Sequence, residues 1–216
     1  MGNKLENKVR LRFSKKDSLR FIGHLDFLRV FQQMIRRSGL PIAYSQGFNP
    51  HQIISFALPL PLGMQSVHDY ADITLTADIS PCEIVSCLNN AAPQGLQVLA
   101  AYSVEGVNAA AATIAADYVI MVQHIPVDAI SKILESETLI IPKKTKSGIK
   151  NTDIRPDIFS IDIAEQGLKL RLSAGSARFL NPLLVAEQIL QTIPCTSTIS
   201  RVELYQSDGA GLFKPL

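Results

Sequence analysis

The feature that most constrains the fold is a switch of hydrophobic period that recurs along the chain. From Lys8 to Phe13 the residues alternate, with Val9, Leu11 and Phe13 set against Lys8, Arg10 and Arg12. This pattern predicts a half-buried strand with a basic outer face. From His24 the period becomes helical. Leu25, Leu28, Phe31 and Ile35 form a stripe widened by Phe27 and Met34, while Arg29, Gln33, Arg36 and Arg37 take the other side. Gly39 and Pro41 stop that helix. The run IISFALPLPLG and the strand DYADITLTA follow, then a helix opened by Ser80 and Pro81, then the strand LQVLAAYSV. This is the β-α-β-β-α-β order of a ferredoxin-like, split βαβ unit.

After the alanine-rich stretch 106–116, a linker or short helix, the same logic returns with one extra strand. DYVIMVQHI, PVDAISKILES and TLIIPKK read as strand, helix and strand. A hairpin follows, turning near Gln166 and Gly167, and then a helix capped by Asn181 with Pro182, and a last strand ISRVELYQ. The expected class is therefore α+β: two tandem ferredoxin-like domains with antiparallel sheets, at 1–105 and 117–216.

Charge narrows the functional classes. A net charge of +2 argues against strong non-specific nucleic-acid binding, but the cations are unevenly placed. Ten of the 21 Lys and Arg residues lie within residues 1–40, and none lies between Arg37 and Lys132. A second cluster comprises Lys143, Lys144, Lys146, Lys150 and Arg155. Such asymmetry is what an electrostatic footprint, or simply a set of solvated faces, looks like. No apolar run reaches the roughly 18 residues of a membrane helix, and the N-terminus has no apolar signal core. A cytoplasmic protein is expected. The three cysteines, Cys82, Cys87 and Cys195, give no disulfide framework and read as small buried hydrophobes. The four scattered histidines lack metal-ligand spacing, so no bound cofactor is expected.

The densest segment runs from His24 to Gly63. His24 is placed at a helix start, where the dipole lowers an imidazole's pKa and free N–H groups hold anions. With Arg29, Tyr44 and His51 near it, His24 is a candidate general acid–base; alternatively, His24 and Asp26 only satisfy the helix start. In the loop Tyr44 to His51, Tyr44 and Phe48 offer stacking surfaces, while Gln46, Asn49 and His51 offer hydrogen bonds. The structural alternative is a tight turn whose aromatics enter the core. Lys143, Lys144, Lys146, Lys150 and Arg155 suit phosphate contacts, or form a solvated hairpin.

These residues carry a resemblance. Arg20, His24-Leu25-Asp26, Arg36-Arg37, Leu40-Pro41, Tyr44 through His51, Ser55-Phe56-Ala57 and Pro59 through Gly63 resemble the radical SAM-linked family of unknown function. The run Thr145 to Pro156 resembles that family's second block. Gly23 departs from the family, which more often has Ser there, a better N-cap. The resemblance implies a bacterial protein that is fused to, or encoded beside, a radical SAM protein. The chain has no CxxxCxxC triad, so an iron–sulfur cluster and S-adenosylmethionine are expected only in that partner enzyme. Three functions follow as expectations: an RNA-binding accessory protein in tRNA or rRNA modification, a metal-independent ribonuclease using His24, and a protein-docking module. The first would use His24, Arg29, Arg36, Arg37, Tyr44, Gln46, Asn49 and His51 for recognition of structured RNA.

Overall fold

The computed structural model describes residues 7–145, 148–191, 197–210 and 212–216. In the first half, β1 (Asn7–Lys15) leads through a 3-10 turn, Asp17–Phe21, into α1 (His24–Ser38). Then come β2 (Ile54–Phe56), β3 (Gln65–Leu75), α2 (Pro81–Ala91) and β4 (Leu96–Ser103). The one-turn helix α3 (Ala109–Ala112) precedes β5 (Ala115–Ile120) and α4 (Val127–Glu135). The second half continues with β6 (Ile140–Thr145), β7 (Gly148–Asp153), β8 (Ile158–Ala164), β9 (Gly167–Ser173), α5 (Pro182–Leu190), β10 (Ile199–Ser207) and β11 (Phe213–Pro215).

The expected helix caps form for the expected reasons. Gly39 takes the left-handed conformation that ends α1, at φ 73°. The Ser80 hydroxyl accepts from the Glu83 N–H, and the Asn181 side-chain oxygen Oδ1 accepts from the Leu183 N–H, each just ahead of a proline.

The architecture is mixed α/β, and the sheet corrects one expectation. Nine strands form one sheet, not two, in the order β4-β1-β3-β10-β5-β9-β8, with β2 added to β3 and β11 to β10. Most pairs are antiparallel, but β10 joins β3 in parallel through Ser200 to Gln65 and Arg201 to Ser66. The sheet is continuous because the C-terminal end of β3 pairs with β2 while its N-terminal end is left for β10. Two apolar clusters line it. One packs α1 and α2 on Phe13, Ile73 and Val98. The other packs α4 and α5 on Tyr118, Leu170 and Leu204, and also takes in Leu58, Leu60 and Tyr70 from the first half.

Three further expectations change. The basic face of β1 is not solvated: Arg10 is buried in a two-point ion pair with Asp72, at 2.8 and 3.1 Å, and Lys8 and Arg12 are half-buried. Leu25, assigned to the apolar stripe of α1, is 69% exposed, because the buried face centres on Phe27, Phe31, Met34 and Ile35. Cys82 is exposed at the start of α2, whereas Cys87 packs partly buried against the core. Cys195 lies outside the described residues.

Candidate functional site

Two regions gather the residues that carry chemistry, and they are separate. The first surrounds His24. Gly23 serves as N-cap without a side-chain bond, so His24 opens α1 and its ring meets Phe56 edge-on at 5.6 Å. Lys15, Phe27, Leu58, Leu60 and Asp69 complete the wall of a cavity of about 10 Å³, at the lower limit for one water. The Lys15 ammonium donates to the Ile22 carbonyl at 3.2 Å and lies 4.6 Å from the centre of the Phe27 ring. Arg201, fully buried on β10, donates to Asp69 at 2.6 Å and to the Leu58 and Pro59 carbonyls. A Lys, a His, an Asp and an Arg thus converge where β10 meets β3.

Burial shapes their protonation. Desolvation lowers the pKa of His24, helped by the Lys15 charge and opposed by Asp69. Desolvation likewise lowers that of Lys15, with Arg201 acting in the same direction and Asp69 against it. The Asp69 carboxyl is raised by its complete burial, although Arg201 and the Tyr70 N–H favour its anion. For Arg201, burial opposes the charge, yet Asp69 and Tyr118 together outweigh it and the pKa rises.

The second region is the loop Tyr44 to His51. Its ends are tied by the Ser45 N–H to the His51 carbonyl, 2.9 Å, and by the Ser45 hydroxyl against His51 Nδ1, 2.8 Å. Gly47 sits at φ 121°, a conformation few other residues adopt. Gln46, Phe48, Asn49 and His51 are exposed, Phe48 completely, and Tyr44 is 44% exposed. The aromatics therefore do not enter the core. Beneath the loop, Gln52 is 4% exposed, and among the described residues neither its amide nitrogen nor its oxygen has a hydrogen-bond partner.

The expected union of His24 with Tyr44 and His51 does not form. His24 lies beside Phe56, at the Asp69 end of β3. The loop is anchored where the Ala43 N–H meets the Thr74 carbonyl, five positions further along the strand, or about 16 Å. Asp26 and Arg29 pair with each other at 2.8 Å on the exposed face of α1, so neither caps the helix through its side chain nor faces His24. Arg36 is exposed, whereas Arg37 donates to the Ala91 carbonyl at the end of α2.

The second basic cluster is a two-stranded ribbon, β6 with β7, rather than a loop. Lys143 and Lys150 face each other directly across it, Lys143 partly buried and Lys150 exposed. Lys144 lies on β6 opposite Ile149, and Lys146 falls outside the described residues. Arg155 is committed to the scaffold: it donates to the Leu134 and Ser136 carbonyls at the end of α4 and to Ile158.

Lys15, Asp69, Arg201 and Gln52 were not singled out from sequence. A signal existed for Lys15, which continues the parity of Val9, Leu11 and Phe13. None existed for Arg201, whose partner is 132 positions away. Among the described residues no group of three His, Cys, Asp or Glu converges as a metal site, and no helix is long and apolar enough to cross a membrane.

Residues 8–182 match the family described as "Uncharacterized protein conserved in bacteria (DUF2344)". No curated protein matches. Among solved structures, an unknown protein from Galdieria sulphuraria is similar over 91% of this chain and 97% of its own. Its sequence identity is 11% and the TM-score is 0.29, too low for the likeness to speak to fold.

Proposed function

The chain belongs to this DUF2344 family of conserved bacterial proteins, and from that premise we propose an RNA-binding accessory protein. Its partner is a separate radical SAM enzyme acting on tRNA or rRNA. The enzyme supplies the iron–sulfur cluster and S-adenosylmethionine, and both proteins work in the cytoplasm. One observation carries the reading: the Tyr44–His51 loop holds Phe48 fully in solvent on a hydrogen-bonded frame. An aromatic ring presented in this way is spent on nothing inside the fold. It suits stacking on an unpaired base, with Gln46, Asn49 and His51 beside it for base edges. Arg36 and the ribbon lysines supply charge. The same strand order in each half, β4-β1-β3-β2 and β10-β5-β9-β8, supports reading the halves as two split βαβ units joined edge to edge.

The ribonuclease reading is weaker. His24 opens on a cavity of about 10 Å³, which has no room for a phosphodiester, and its expected loop partners lie elsewhere. Docking on the radical SAM enzyme is the second reading, favoured by the exposed Phe21, Leu25 and Leu62. Phe21 closes the 3-10 turn and Leu25 lies in the first turn of α1, and the Gly63 N–H bonds the Arg20 carbonyl, which brings Leu62 close to Phe21.

Titration with tRNA at low and moderate salt tests the first reading. Binding is expected at low salt and should fade steeply as salt rises. Phe48→Ala should weaken it about five- to 150-fold, an expected loss of about 1–3 kcal/mol for one stacked base. No binding at low salt overturns the proposal. Loss of co-purification with the enzyme on Phe21→Ala/Leu25→Ala, with RNA affinity unchanged in that variant and in Phe48→Ala, would favour docking instead.

A further inference from the structure

The β6–β7 ribbon breaks a rule of sheet chemistry. Like charges directly opposite on antiparallel strands destabilise the pair, yet Lys143 and Lys150 occupy one such position. Their Cβ atoms lie about 5 Å apart on the same face. The cross-strand neighbours are Pro142 with Asn151 and Lys144 with Ile149, so no carboxylate stands opposite to offset the repulsion. Asp153, the one acid in the ribbon's sequence, is occupied at its base, accepting from the Leu139 and Arg155 N–H groups at 2.8 and 3.0 Å.

Residues two apart on a strand share a face, so Lys143 follows Ile141, which is rooted in the core at 3% exposure. Lys143 is half-buried and Lys150 exposed, and both lie on this face, while the opposite face carries Ile140, Ile149 and Lys144. Among the described residues, the Lys143–Lys150 rung is therefore the one place on the ribbon where two cations meet side by side.

We infer that Lys143 and Lys150 form a two-cation clip for adjacent phosphates of a single RNA strand, passing along the face of the ribbon that also carries Ile141. The inference rests on the RNA reading above and adds where the backbone is held. Two flexible ammonium groups on one rung can spread to two successive phosphates, and the anion removes the repulsion that the free ribbon carries.

The test uses the full chain and a fluorescein-labelled oligouridine of about 20 nucleotides, with anisotropy followed across salt concentrations. Each phosphate contact contributes about 0.7 to the slope of log affinity against log salt for single strands. Lys143→Ala/Lys150→Ala should therefore lower the slope by about 1.4. The melting temperature should stay the same or rise, since a repulsive pair has gone. Lys16→Ala, an exposed cation in the first half, should leave the slope unchanged. An unchanged slope in the double variant overturns the clip while leaving the RNA reading intact. So does an equal loss in Lys16→Ala, which would mean diffuse charge, or a lowered melting temperature, which would make the lysines structural. A wild-type chain that does not bind the oligomer at low salt overturns both.

Discussion

Lys15 shares the parity of Val9, Leu11 and Phe13, and the fold treats it accordingly, as a core position with a charged tip. Its stem is buried and its ammonium has one carbonyl and an aromatic face for company. Beside it, Arg201 and Asp69 are buried together, an arrangement that tolerates the loss of neither partner alone. Arg201→Met should cost about 3–5 kcal/mol, because Asp69 would keep its burial and lose its counter-charge. Urea unfolding measures this, and a loss below 1 kcal/mol would mean that Asp69 finds another partner. His24 gives a pH signature. Its folded pKa is lower than the ordinary 6.5, so the unfolded chain binds the proton more readily. Stability from this residue is then fully present above pH 6.5 and is lost as pH falls through the folded value. His24→Gln should flatten that part of the stability–pH curve, and an unchanged acid limb would show that His24 does not contribute to it.

At the scale of elements, boundaries set by local chemistry were readable and those set by distant partners were not. Gly39, Ser80 with Pro81, and Asn181 with Pro182 mark helix ends through bonds made within a few residues, so sequence locates them. The β8–β9 hairpin was placed by its Gln166-Gly167 turn for the same reason. Gly167 shows how firm such a constraint is: φ is 134°, and a Cβ there would come within 2.2 Å of the Ile120 carbonyl oxygen. Gly167→Ala should cost more than about 1 kcal/mol, read as a lower urea midpoint. A neutral result would require β5 to move aside. Of the ribbon, β6 was legible as a strand and a hairpin as one alternative for the basic stretch, but its register was not. Pairing of β6 with β7 sets lysine against lysine, and alternation along either strand alone does not reveal that register. The outward face of β1 failed for a similar reason, since Arg10 is buried by Asp72 and by the Val107 carbonyl on the connection to α3.

At the scale of the whole molecule, the alternation of strands and helices in each half was visible, but the merging of both halves into one sheet was not. The merger depends on two parallel rungs between β10 and β3, far too few to leave a periodic trace. Side chains extend this seam where the backbones part. Gln65 donates to the Ser200 hydroxyl at 3.1 Å, His68 lies 3.0 Å from Glu203, and the Tyr70 hydroxyl donates to the same carboxylate at 2.7 Å. Leu58 and Leu60 of the first half are buried in the cluster that holds α4 and α5, so the second core is closed by residues from the first. Neither half can then expose its core without disturbing the other, and unfolding should be one cooperative transition. The same urea curve is expected from far-ultraviolet circular dichroism and from a fluorophore placed at exposed Cys82 in the first half or at Phe179→Cys in the second. Arg201→Met should move all of these curves together, because it cuts the seam itself. Two separated transitions in the wild-type chain would show instead that the halves fold as independent units and that the β10–β3 pairing only rests one against the other.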